Sequence, residues 1–341
     1  MQQSPKVHGQ PADETRSSRV PPTSQKKSHD PLVHLLAGAS GGFATAIVTS
    51  PLDVLRTRLQ SDFYQRPPPS SSSDQALRTS HKTVRIISNI YRAEGWRAFF
   101  RGLGPSLAGV VPATAIKFYV YGNCKRIGAQ MTGYGEDSTL IHAQAAISAG
   151  IATATATNPI WLVKTRLQLD KSQATTGGRR YKNSIDCVQQ VLRQEGVRGL
   201  YKGLSASYLG SVETALHLVL YERLKTMLNK SLGSPDGEET ATQREITNWI
   251  STTGAAGSAK FAAALLAYPH EVIRTRLRQA PLENGVPKYT GLVQCFRLIA
   301  KEEGMAGLYG GLLPHMARSI PSAIITLGVY EFVLRFVGTS S

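Results

Sequence analysis

Arg318 sits in a long apolar stretch that begins at Gly311. In a bilayer such a charge costs about 3 kcal/mol even on a lenient scale, unless it faces water or a partner. A guanidinium fork suits phosphate or carboxylate oxygens, so the chemistry it offers is anion binding; satisfaction by backbone carbonyls is the structural alternative. Lys117 and Lys260 lie in similar surroundings, Lys260 nine residues before Pro269 among Ala, Leu and Gly. With Arg318 they would form a cationic cradle for phosphates, although either lysine can instead snorkel to an interface. Glu213 is the exception in an anion site. It would accept N–H groups from a nucleobase edge or neutralise Lys117 or Lys260 in the unloaded site. His217 would add charge at low pH or serve a structural role. No catalytic triad, phosphate loop or paired metal-ligand spacing appears, so neither an enzyme, a cofactor nor a metal is expected. Cys124, Cys187 and Cys295 fit no disulfide framework.

The chain has 341 residues and a formal net charge of +16. The first thirty residues supply only +2 of it, so the excess sits in the body. A basic body implies an anionic solute, anionic lipid or nucleic acid. Nucleic acid is disfavoured, because basic clusters with interleaved aromatics are missing. Residues 1–31 have no apolar h-region and read as a disordered polar tail, which leaves any organelle address internal.

The elements that must position these charges come in threes. Pro51-Leu52-Asp53-Val54-Leu55-Arg56-Thr57-Arg58 recurs as Pro159-Ile160-Trp161-Leu162-Val163-Lys164-Thr165-Arg166 and Pro269-His270-Glu271-Val272-Ile273-Arg274-Thr275-Arg276, at intervals of 108 and 110 residues. A second motif keeps step: Glu94-Gly95 before Phe100-Arg101-Gly102, Glu195-Gly196 before Tyr201-Lys202-Gly203, and Glu303-Gly304 before Tyr309-Gly310-Gly311. A fixed period of this kind sets the architecture. Each unit predicts one long helix running into the proline motif (roughly 33–60, 141–169 and 247–278) and a second after the glycine (roughly 104–127, 205–229 and 313–337). About 20 residues span a bilayer. None of the six is uniformly apolar, as expected if one face of each lines water. The prolines should kink the first helices, and small residues such as Gly38 to Gly42 allow close helix approach. Apolar spacing between the long helices predicts short helices at the membrane surface. The Pro/Ser-rich stretch 61–81 reads as a flexible loop. The repeats are expected over 32–130, 139–232 and 246–338.

The two motifs resemble those of the mitochondrial carrier family, with matches over about residues 34–337. The resemblance implies an all-α membrane protein of six transmembrane helices in three tandem repeats, pseudo-threefold around a central cavity. It also implies a multi-pass monomer in the mitochondrial inner membrane, among lipids that include cardiolipin. The acid of one proline motif should pair with the base of the next at a matrix gate: Asp53 with Lys164 and Glu271 with Arg56. Trp161 stands where the third acid belongs. It should stack on Arg274 as a cation–π contact of about 0.5–2 kcal/mol, or pack against lipid or a neighbour. Gln60 and Gln168 would brace the pairs, and Arg278 takes the third brace position. At the cytoplasmic end the family motif is complete only at Tyr221-Glu222-Arg223-Leu224-Lys225, so a weak gate of Lys125, Glu222, Lys225 and Glu331 is implied. Family substrate positions carried over from Gly102, Gly203 and Gly311 fall on Gly109, Gly210 and Arg318. Glu213 and His217 share the face of Gly210. The runs Ala267–Arg274 and Gly311–Pro321 are most similar to the pyrimidine nucleotide branch. The implied activity is exchange of pyrimidine (deoxy)nucleoside phosphates. A carrier of NAD, FAD or folate and a non-transporting scaffold are the alternatives.

Overall fold

A computed structural model describes residues 31–61, 79–133, 135, 138–170, 180–232, 241–281 and 287–339. The expected tail and most of the expected 61–81 loop lie outside these residues. Regular structure among the described residues is helical. The first repeat holds α1 (Pro31–Val48), α2 (Ser50–Gln60), α3 (Thr79–Glu94) and α4 (Leu103–Thr132). The second holds α5 (Thr139–Leu169), α6 (Ser184–Leu200) and α7 (Leu204–Leu232), and the third α8 (Ala241–Arg278), α9 (Leu292–Glu302), α10 (Gly304–Leu308) and α11 (Leu312–Thr339).

The long helices pack as a ring. The last helix of each repeat lies on the first of the next: α4 on α5 and α7 on α8, and α11 returns to α1. Small residues set the spacing. A Cβ on Gly41 would come 2.9 Å from the carbonyl of Thr326, and Thr45 meets Thr326 hydroxyl to hydroxyl at 2.8 Å. Large apolar side chains such as Phe43, Phe118, Ile324 and Phe332 stay exposed on the outside. Two helical stretches, Trp96–Thr132 and Gly304–Phe336, are long and apolar enough to cross a membrane.

The first proline motif continues its helix with little interruption: between α1 and α2, Thr49 keeps helical dihedrals, its N–H donates to the Thr45 carbonyl at 2.9 Å, and its carbonyl accepts from the Asp53 N–H at 3.0 Å. α5 and α8 run through Pro159 and Pro269. Pro51 has no N–H to continue the ladder. The Thr49 hydroxyl turns back to the Thr45 carbonyl at 2.8 Å, as the equivalent Thr157 does to Thr153 at 2.7 Å.

Each short helix buries one apolar residue of its predicted face, Ile90, Val191 or Ile299, beneath the end of the proline-motif helix. The two glycines of the second motif then reverse the chain. Gly95, Gly196 and Gly304 have φ between 65° and 76°, and Gly102, Gly203 and Gly311 between 78° and 79°. Side chains rarely adopt this region. The second glycine of each set also presses on the next repeat: an added Cβ would lie 3.0 Å from the Lys164 carbonyl, 3.2 Å from that of Arg274 and 2.9 Å from that of Arg56.

Candidate functional site: a charged cavity above a ring of ion pairs

The three proline motifs converge at one end of the ring. Asp53 on α2 receives Lys164 Nζ at 3.0 Å and Arg318 Nη1 at 2.9 Å. Glu271 Oε2 accepts from Arg56 of the first repeat and from Arg274 on its own helix, the latter at 2.5 Å. Two acids therefore bridge four bases. The side chains of both acids are about nine-tenths buried, where an unpaired charge is costly.

Arg274 and Trp161 do not meet as the sequence suggested. The indole lies beneath Lys164 Nζ, 5.2 Å from the ring centroid, and its Nε1–H donates to Thr157 Oγ1 at 2.9 Å. Arg274 turns to the carboxylate three residues back on the same helix face, where full charge outweighs an aromatic quadrupole. Gly109 also differs from expectation. It is buried, and an added Cβ would sit 3.1 Å from Ile160 and 3.4 Å from Trp161. Its missing side chain makes room for that indole and not for solute.

The glutamines connect hydroxyls. Thr57 donates to Gln168 at 2.8 Å, Thr275 donates to Gln60 at 2.7 Å, and Gln60 donates to the Tyr268 hydroxyl at 3.1 Å. Arg278, at the third such position, donates to Asn158 at 2.7 Å and Ser207 at 3.0 Å.

Above the ring lies a cavity of about 700 Å³. Its lining carries six bases (Arg56, Lys117, Lys164, Arg274, Arg278 and Arg318) against three acids (Asp53, Glu213 and Glu271). Gly210 lines it too, with hydroxyls from Thr153, Thr157, Ser211 and Thr214 on α5 and α7. His217 is not on the lining. Lys260 reaches the site only through Glu213, at 3.4 Å. Glu213 thus meets Lys260 and not Lys117 in this structure. Arg318 projects into the cavity yet is already engaged, by Asp53 and by Thr49 Oγ1 at 3.3 Å. The sequence suggested it for the solute cradle and did not anticipate that it would also hold Asp53.

A second set of charges ties the repeats together. Arg58, Arg166 and Arg276 are at most 2% exposed. Each clamps the glutamate of its own second motif, Glu94, Glu195 or Glu303, with both guanidinium nitrogens between 2.5 and 2.9 Å. Each also donates Nε–H to a carbonyl of the next repeat: Gln168 at 3.0 Å, Arg278 at 3.2 Å and Gln60 at 2.6 Å. Arg101 and Lys202 add a second cation to Glu94 and Glu195, each at 2.5 Å. Gly310 has no such group; instead its carbonyl accepts from Tyr268 at 2.9 Å. Burial pushes Glu195 upward, but hydrogen bonds from Arg166 and Lys202 outweigh it and hold the carboxyl below its ordinary range. The recurrence of these residues was in plain view in the repeat, but their partnership was not.

At the other end, Tyr121 meets His142 Nδ1 at 2.6 Å, joining α4 to α5. Glu331 is largely exposed and faces Arg335, one residue beyond the expected base position, at 3.8 Å. Lys125 is partly buried on α4. The side chains of Glu222 and Lys225 lie outside the described residues.

A model of the mitochondrial carrier protein family matches residues 27–131, 135–232 and 246–341, one match per repeat. The Saccharomyces cerevisiae mitochondrial pyrimidine nucleotide transporter RIM2 is 48% identical over 326 residues, covering 90% of this chain and 86% of that protein. The Schizosaccharomyces pombe mitochondrial carrier protein rim2 is 49% identical, covering 92% of each chain. Solute carrier family 25 member 36 of Gallus gallus is 41% identical, covering 89% of this chain and 97% of that protein. Three matched repeats, and relatives that align with about nine-tenths of this chain, place it in the mitochondrial carrier family.

Proposed function

We propose that this protein exchanges pyrimidine (deoxy)nucleoside phosphates across the mitochondrial inner membrane by alternating access. Six helical passes, one long helix on each side of the three loop-and-short-helix segments, would surround the solute path. The observation that carries the reading is the excess of six bases over three acids around a cavity of nucleotide dimensions. A triphosphate supplies the missing negative charge. Lys117 and Arg318 hold phosphate oxygens, and Gly210 with the hydroxyls of α5 and α7 leaves a shallow polar slot for a base. The Asp53, Lys164, Arg56, Glu271 and Arg274 cluster forms the matrix gate. Gln60 and Gln168 brace it, and Lys125, Glu222, Lys225 and Glu331 form a weaker gate opposite. The molecule works as a monomer among inner-membrane lipids such as cardiolipin, with no nucleic-acid partner.

The relative named as a pyrimidine nucleotide transporter supports the choice of solute. Reconstituted protein should exchange labelled UTP, TTP and CTP at least ten times faster than ATP, NAD or FAD. Preference for NAD or FAD would move the protein to another branch, and absence of all exchange would leave a carrier-like scaffold.

A further inference from the structure

The three seams between repeats are not electrically alike at the level of the proline motifs. Between the first and second repeats, Asp53 pairs with Lys164, and Gln168 accepts from Thr57. Between the third and first, Glu271 pairs with Arg56, and Gln60 accepts from Thr275. Each of these seams offers an acid and a neutral amide. Between the second and third, Trp161 stands in place of the acid and Arg278 in place of the amide. Arg274 on that seam draws on Glu271, which it shares with Arg56. Arg278 makes no ion pair among the described residues, and its partners Asn158 and Ser207 are neutral. Yet it is only 6% exposed. Both of its side-chain bonds leave from Nη2, and Nε has no partner among the described residues. A guanidinium carries five N–H donors, so most of them are unspent. A buried cation without a matching anion is costly, and this one lines the cavity.

We propose that Arg278 is a subsite for the terminal phosphate of a nucleoside di- or triphosphate, which supplies at this seam the negative charge that Asp53 and Glu271 supply at the other two. A guanidinium fork fits phosphate oxygens. The approach is lined by small side chains: Ser207, Gly210 and Ser211 share one face of α7 on the same cavity. Arg274, four residues earlier on α8, adds a second cation beside Arg278. The anchorage is fixed from behind. The fully buried Asn158 donates its amide N–H to the Leu200 carbonyl at 2.8 Å, which turns its oxygen to Arg278. Gly203 makes room for the arginine stem, since an added Cβ would lie 3.1 Å from Arg278 Cγ. The assignment to a nucleotide rests on the transport reading above, in which Lys117 and Arg318 take the inner phosphates. A monophosphate held by those two leaves Arg278 unmatched, and a longer chain reaches it, so the residue sets the preference for phosphate number.

Inorganic pyrophosphate tests the site without transport. It should raise the unfolding temperature of the purified, detergent-solubilised wild type. Arg278→Gln installs the amide of the other two seams. Without anion, this variant should unfold no earlier than the wild type, because an unmatched buried charge is gone. Its apparent affinity for pyrophosphate should fall by about tenfold or more, the worth of one charge-assisted hydrogen bond. A side chain that only ties Asn158 to Ser207 would give the reverse, a less stable protein with unchanged pyrophosphate affinity. Should the glutamine variant not fold, Arg278→Lys keeps the charge without the fork and should lose part of the affinity. Undiminished affinity in the variant that folds overturns the proposal, as does a wild type that pyrophosphate does not stabilise. In liposomes, the preference for UTP over UMP as competitors of labelled UTP should fall by a similar factor in Arg278→Gln, and an unchanged preference would refute the phosphate-counting role. Absence of UTP exchange by the wild type would instead overturn the transport reading and leave the pyrophosphate result standing.

Discussion

At the residue scale, Asp53 and Glu271 each serve two bases, so the partners in an ion pair are not equivalent. Lys164→Gln leaves Asp53 with Arg318 at 2.9 Å. Asp53→Asn leaves both Lys164 and Arg318 without their acid in a largely buried site. Removing the shared partner of a buried network costs about 3–5 kcal/mol, and removing one of two satellites should cost clearly less. The same order should hold for Glu271→Gln against Arg274→Gln. Thermal unfolding of the four purified variants tests this. Equal losses within a pair would mean that the acids do not bridge. The thiols make a smaller test: Cys187 is fully buried and burial pushes it up to about 12, so maleimide should leave it unmodified until the protein unfolds.

At the scale of elements, the helices are held by contacts that tolerate little change. Gly150 on α5 meets Ser211 on α7, and an added Cβ would lie 3.0 Å from the serine Cβ. Gly150→Ala should destabilise by about 1–3 kcal/mol, and Ser211→Gly in the same chain should restore most of the loss. A double variant as unstable as the single would place the strain elsewhere. The clamp of Glu195 by Arg166 and Lys202 gives a pH dependence. Its folded carboxyl titrates below the ordinary glutamate value of about 4.3, so its stabilisation is present above that value and fades as pH falls through the folded one. The difference in melting temperature between wild type and Glu195→Gln should be largest near neutrality and shrink below about pH 4. A gap that widens with acid would reverse the sign and refute the clamp. The sequence made the helices, their order and the short helices between them legible because period and proline punctuation are local signals. It left the Arg58, Arg166 and Arg276 clamps unread, since a buried partner across a loop leaves no local mark. It misread Gly109 and Arg274, whose settings depend on which of several neighbours lies nearest once the helices have packed.

At the scale of the molecule, Asp53 of the proposed gate and Arg318 of the proposed solute site share one contact. Arg318 holds Asp53 while projecting into the cavity, so a phosphate that draws Arg318 away also weakens the ring. A solute can shift a two-state equilibrium only through a difference in its affinity for the two states, and competition for Arg318 supplies such a difference. On the proposed mechanism, the ring without solute would keep its acid fully paired and the positively lined cavity would resist reorientation, so exchange would be strict. Asp53→Asn removes both constraints: Arg318 no longer has an acid to leave, and Lys164 no longer closes the gate. Uptake of labelled UTP into nucleotide-free liposomes, divided by uptake into UTP-loaded ones, should therefore be near zero for the wild type and rise severalfold in the variant. Arg318→Ala should abolish uptake into both kinds of liposome, because the phosphate contact is lost along with the restraint. If the Asp53→Asn ratio stays at the wild-type value while the protein remains active, the coupling does not run through the Asp53–Arg318 contact.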